Sequence, residues 1–181
     1  MRRLISVLLL LFVNVLAGQA EEWYFEMDLD GTPGNGPDTI EASTGDYIVG
    51  RVWIHGPCPI LAVGAGFCSP GDVLLYQVGM EEYLVPESWT TEEIVISGDC
   101  VTAQATDFTW GSPLTLPAPL VDLVWRVAAD EAIGDLVCDN GAFLSICMET
   151  PLFDHCDGAA VRVGGTATEE TGWGAIKTLF R

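Results

Sequence analysis

Positive charge is scarce in this chain: seven lysines and arginines stand against 26 aspartates and glutamates, for a net charge of −19. Such a polyanion repels nucleic acid and anionic lipid headgroups, which excludes the basic footprint of a nucleic-acid binder. Histidine is nearly missing too, at two residues. There is no GxSxG, no HExxH and no glycine-rich phosphate loop, so hydrolase and transferase chemistry lack their usual parts. Paired carboxylates could serve a glycosidase, but so many acidic residues pair by chance that the signal has no specificity. The absence of CxxC removes a thioredoxin-type pair and a zinc knuckle. No sustained helical stripe occurs before residue 168, and after the first 20 residues no apolar run is long enough to span a bilayer.

What is present begins with MRRLISVLLLLFVNVLAGQA, two arginines followed by an apolar run from Leu4 to Ala17 and then small residues. This reads as a cleaved signal peptide. Small residues permit cleavage after Ala17 or Ala20, with Ala20 preferred. Leu16-Ala17-Gly18-Gln19 has the outline of a bacterial lipoprotein box, but Gln19 stands where the acylated cysteine must be, so no lipid anchor is implied. Residues 1–20 hold two of the seven basic residues and none of the acidic ones, so their removal makes the remaining chain still more acidic. All six cysteines, Cys58, Cys68, Cys100, Cys138, Cys147 and Cys156, lie beyond this segment. An even count in an exported chain predicts three disulfides, each stabilising by about 2–4 kcal/mol. Proximity along the chain suggests 58 with 68 and 147 with 156, leaving 100 with 138.

Strand periodicity dominates the rest. In WYFEMDL, Trp23, Phe25, Met27 and Leu29 point one way while Tyr24, Glu26 and Asp28 point the other. In DYIVGRVWIHG, Ile48, Val52 and Ile54 share a face opposite Arg51, Trp53 and His55. PILAVGAGF directs Leu61, Val63, Ala65 and Phe67 inward. PLVDLVWRVAA does the same with Val121, Leu123, Trp125 and Val127, leaving Asp122 and Arg126 outside, and AAVRV buries Val161 and Val163 with Arg162 outside. Clusters of Gly, Pro, Asp and Asn separate these segments. The pattern predicts an all-β protein: an antiparallel two-sheet sandwich, jelly-roll or immunoglobulin-like, over residues 21–165, with a flexible link and tail at 166–181.

The stretches GDYIVGRVWIHG, LVDLVWRVAADEAIGDLVCDNGAFLSIC and GAAVRVGG, with the TGD turn before the early strand, resemble the strand order of cohesin-type domains. The resemblance covers residues 22–165. It implies a nine-stranded jelly-roll sandwich that binds a protein partner through one exposed sheet face, without catalysis. The six cysteines and their long loops depart from that pattern and put dockerin recognition itself in doubt.

Several residue groups invite a site reading. Asp28, Asp30, Asp38 and Glu41, with Asn35, offer the oxygen ligands calcium prefers, but their spacing fails as an EF-hand, because Pro33 or Asn35 falls where the glycine must be. A strand connection accounts for the same composition, and no cofactor is expected. FDHCDG places Asp154, His155, Cys156 and Asp157 together, yet adjacent ligands seldom converge on one ion and an oxidised Cys156 offers no thiolate. Of six tryptophans, Trp23 and Trp125 fall inward and Trp173 in the tail, leaving Trp53, Trp89 and Trp110 as candidate surface rings for a sugar. Arg51, Trp53, Asp122 and Arg126 are candidate partner contacts on an outer sheet face.

The tail TGWGAIKTLFR sets Trp173, Ile176 and Phe180 at helical spacing with Lys177 and Arg181 elsewhere on the turn, an amphipathic stub with Trp173 and Phe180 as natural anchors for a receptor groove. It resembles the short W-G-x-I/V-K-x-L-Y/F-R ends of exported bacterial proteins. The reading as a whole is a secreted, non-catalytic interaction or structural module, extracellular, surface-held or periplasmic, with an unknown protein or glycan partner. A carbohydrate-binding module is the alternative, ahead of a secreted enzyme of unrecognised type.

Overall fold

The computed structural model describes residues 22–34, 38–147 and 155–164. The expected signal segment 1–20, Asn35, Asp154 and the expected tail from 166 onward, with Trp173 and Phe180, lie outside the described residues. Alternating apolar and polar side chains yield strands: β1 (Tyr24–Asp28), β2 (Thr39–Ala42), β3 (Tyr47–His55), β4 (Ile60–Cys68), β5 (Leu74–Tyr76), β6 (Glu82–Tyr83), β7 (Thr91–Ser97), β8 (Cys100–Thr106), β9 (Ala118–Val127), β10 (Ala132–Ser145), β11 (His155–Asp157) and β12 (Ala159–Val163). No helix occurs among the described residues. One sheet runs β11-β1-β3-β9-β5, with β6 also on β9, and the other runs β2-β12-β10-β4-β8-β7. The fold is the all-β two-sheet sandwich the periodicity predicts. Pairing is antiparallel except where β1 meets β11 and β12 meets β2, which run parallel, the late strands returning beside the early ones.

The residues read as inward form the core. Phe25, Met27, Val52, Ile54, Phe67, Leu123, Trp125, Val127 and Val161 are all at most 1% exposed. Trp23 and Phe25 flank Phe143 of the opposite sheet, with ring centroids at 5.0 and 4.5 Å. The TGD turn before β3 is held by its own atoms: Gly45 adopts φ 91°, and the Ser43 N–H donates to the Asp46 carboxylate at 2.8 Å. Gly50 shows how tight the packing is. A Cβ there would collide with Met27 and meet Trp125 at 3.0 Å. Gly50→Ala should therefore cost about 1–3 kcal/mol, as overpacking does, with an unchanged denaturant slope; a neutral result in urea unfolding would mean that this strand pair yields easily.

Two expectations are corrected. The cysteines pair as Cys58–Cys147, Cys68–Cys100 and Cys138–Cys156, with no free thiol, rather than by proximity along the chain. Strand register decides this: Cys68 and Cys100 are partners across β4 and β8, while Cys138 on β10 and Cys156 on β11 join the two sheets. The outward residues Glu26, Asp28 and Asp122 are also buried, each at 2% exposure, because the chain after β1 folds back over its own sheet and Arg51 covers Asp122.

Candidate interaction surfaces

Cross-strand register lines up the outer face of the first sheet. Asp28, Arg51, Asp122 and Glu82 form one row across β1, β3, β9 and β6. Arg51 donates from Nε and Nη2 to the two Asp122 carboxylate oxygens, both at 2.7 Å. In the next row the Trp53 indole N–H donates to Asp28 Oδ2 at 3.1 Å, and His55 Nε2 lies 2.9 Å from Glu26 Oε2. Beyond them the Tyr24 ring is stacked between His55 and His155, with centroids at 4.2 and 4.5 Å. Burial, then the carboxylates of Glu26, Asp157 and Glu22, hold the Tyr24 phenol above its ordinary value. Of the residues expected as partner contacts, Arg51, Trp53 and Asp122 thus come together, but they bond mainly to their own sheet. Arg126 stands exposed on β9, away from that row.

The connection after β1 brings Asp28, Asp30 and Asp38 together, each offering an oxygen within 4.8 Å of the others. Glu41 does not join them; it sits on β2 in the second sheet, opposite Arg162. The carboxylates already serve the backbone. Asp28 Oδ1 accepts the N–H groups of Asp30, Gly31 and Thr32 at 3.0, 2.6 and 3.2 Å, and Asp38 Oδ2 accepts those of Leu29 and Asp30 at 2.6 and 3.3 Å. Burial nonetheless raises the Asp38 pKa, outweighing those N–H bonds. Carboxylates this engaged in shaping a turn have few lone pairs left for an ion. Millimolar calcium should leave the melting temperature where it is, since only a site occupied in the folded state stabilises it; a calcium-specific rise lost in Asp30→Ala would make this loop a ligand site.

The second sheet presents a different outer face, which the sequence reading did not single out. Register sets out rows Asn140–Gly66–Thr102–Val95 and Ala142–Gly64–Gln104–Glu93, with Leu144–Ala62–Thr106 beside them, across β10, β4, β8 and β7. Glu93 is the one ionisable residue among them. Ala62, Gly64 and Gly66 keep the middle of the face flat, with taller side chains on both sides. The alternation Ala-x-Gly-x-Gly in β4 was the available signal: a strand with a core face and only small residues on the other.

No protein-family model matches the chain, and no curated protein sequence matches it. Solved structures do. A non-cellulosomal cohesin from Archaeoglobus fulgidus superposes with a TM-score of 0.59 at 12% identity, covering 88% of this chain and 99% of that one. A cohesin module from a Clostridium perfringens family 33 glycoside hydrolase gives 0.61 at 9% identity, over 80% of this chain and 98% of that one. A Pseudobacteroides cellulosolvens type I cohesin gives 0.61 at 12% identity, over 83% and 97%. The fold is cohesin-like.

In this cohesin-like sandwich, the tryptophans grouped as candidate surface rings part company. Trp53 is half-buried, and Trp89, expected at the surface, is 5% exposed with its indole N–H donating to the Ser112 carbonyl at 2.9 Å. Trp110 is 68% exposed on the turn after β8. That turn is braced by Asp107, itself 1% exposed, whose carboxylate accepts the Thr109 hydroxyl and N–H and the Ser112 N–H. The Thr109 hydroxyl bond, reinforced by these N–H groups, holds the Asp107 carboxyl below its ordinary value. Its contribution is therefore present above the unfolded aspartate pKa, about 3.9, and is lost as pH falls through the depressed folded value. Acid should loosen this turn, read as a shift of the Trp110 indole N–H signal by NMR, and Asp107→Asn should remove that transition; a Trp110 signal that titrates identically in both proteins would contradict the brace.

Proposed function

We propose that this chain is an exported, non-catalytic module that binds a protein partner through the outer face of β10-β4-β8-β7. The observation that carries the reading is the contrast between the two sheet faces of a cohesin-like fold. One face is taken up by its own ion pair, stacked rings and covering loop; the other is flat and uncharged in its middle, at Gly64, Gly66, Thr102 and Gln104, with Glu93, Asp135 and Asp139 on its flanking strands β7 and β10. Depletion of charge at the centre of a patch is the compositional mark of a protein interface. Among the similar structures, an Acetivibrio cellulolyticus cohesin was solved with a dockerin bound, which supports a protein as the class of partner. Three disulfides support an oxidising compartment, outside the cell or in the periplasm. The tail anchors Trp173 and Phe180 belong to this reading as an address for a receptor, separate from the sheet face.

Gly64 allows a direct test. A Cβ there meets only Gln104 Cγ, at 3.7 Å, so a large side chain would stand on the face without entering the core. Residues 21–181 immobilised on a support should capture a specific partner from the source organism's envelope fraction. Gly64→Arg should abolish the capture at unchanged melting temperature, and Arg126→Ala should not. Capture indifferent to Gly64→Arg but lost in Arg126→Ala would move the interface to the first sheet.

A further inference from the structure

The turn at 107–112 carries two aromatic rings in solvent, Phe108 at 69% and Trp110 at 68% exposure. Single exposed apolar residues are ordinary, but the backbone here is not. Trp110 has φ 58°, and among the described residues no other non-glycine residue has a positive φ. A bulky residue in the left-handed region costs on the order of 1–3 kcal/mol and persists only where the surroundings impose it. Gly111 follows it directly, so the sequence holds a residue suited to that conformation one position away and does not use it at 110. The surroundings that impose it are the buried Asp107 carboxylate, with its three bonds to Thr109 and Ser112, and buried Trp89, which ties down the Ser112 carbonyl. The fold thus spends a buried carboxylate and a buried tryptophan on holding the backbone that presents an exposed indole.

We propose that this turn is a preformed stacking site for a neutral sugar ring, with Trp110 as its platform. The charge pattern selects the ligand class. From Phe108 to Pro117, the connection that leads from the turn to β9, no residue is charged, in a chain with 26 acidic residues. A neutral saccharide meets no repulsion there, whereas a polyanion would be turned away by the rest of the surface. A pyranose has an apolar C–H face of about the size of one indole and hydroxyls around its rim, so it can stack on one exposed ring, while a protein hot spot needs a surrounding ring of contacts that exclude water. Fixing the backbone that carries the indole beforehand lowers the ordering cost that otherwise offsets so small a contact. The site is distinct from the flat face of β10-β4-β8-β7 and does not depend on the protein-binding reading.

The test titrates the full chain with soluble mixed-linkage β-glucan, xylan, mannan and N-acetylglucosamine oligomers, following binding heat and the Trp110 indole N–H signal. At least one of these should bind, with affinity about tenfold or more weaker in Trp110→Ala and largely kept in Trp110→Tyr, the loss expected of one aromatic anchor. Melting temperatures of all variants check the fold, which an exposed side chain should not disturb. Absence of binding by every glycan in the panel overturns the proposal, as does Trp110→Ala binding like the parent. Capture of a protein that needs Trp110, with no glycan bound, also overturns it and makes the turn part of the protein interface. Loss of capture in Gly64→Arg is read separately, so the two readings fail independently.

Discussion

Arg51→Ala is expected to lower stability by about 3 kcal/mol or more, far beyond the cost of an ordinary surface salt bridge. The Arg51 side chain is 37% exposed, but its partner Asp122 is 2% exposed, so truncation strands a carboxylate away from water. It also removes the one cation from a row that holds Asp28, Asp122 and Glu82. Asp122→Leu with Arg51→Met should recover most of the loss, because a buried pair replaced by apolar groups of similar size is often close to neutral. Chemical denaturation of the two single variants and the double variant gives the coupling. If Arg51→Ala costs less than about 1 kcal/mol, the pair behaves as a surface contact and water reaches Asp122.

Removing the Cys58–Cys147 bridge should cost still more, about 4.5 kcal/mol, because it closes the longest loop. Its cysteines are 89 residues apart in sequence, against 32 for Cys68–Cys100 and 18 for Cys138–Cys156. The loop-entropy relation then predicts about 3.7 and 3.2 kcal/mol for the other two. Each pair is replaced by serine as a double variant, and midpoints in guanidinium are compared. An inverted order would mean that linking the two sheets through Cys138–Cys156 matters more to the folded state than loop length does to the unfolded one. Thiol labelling of the denatured, unreduced parent should find no reactive cysteine, and two or more labelled per molecule would contradict the bridges themselves.

Much of the architecture was legible in the chain because strand alternation is a local property. Ile48, Val52 and Ile54, or Val161 and Val163, announce their inward face within five or six residues, and the structure buries them. The candidate site was less legible. Arg51 and Asp122 were correctly set on an outer face, yet nothing within their own strands shows that they lie opposite each other or that the pair consumes Asp122. Trp89 and Trp110 look alike in sequence, both beside threonines in polar segments; one fills the core and the other stands in solvent. The flat face of the second sheet was visible only as Ala62, Gly64 and Gly66, small residues whose significance depends on what β8 and β10 place beside them.

The sequence by itself determined the class of protein: a polyanion without catalytic motifs, a β-sandwich by its two-residue period, and cysteines enough for three bridges. Tertiary structure alone decided which cysteines pair, which carboxylates are buried, which of Trp89 and Trp110 is exposed and which sheet face stays open. The reason is the same in each case. Facing is set by steps of one residue along a strand, whereas partnership is set by register between strands tens of residues apart, such as β4 with β10 or β1 with β11. That register is chosen by the packing of the whole core rather than by any segment of it.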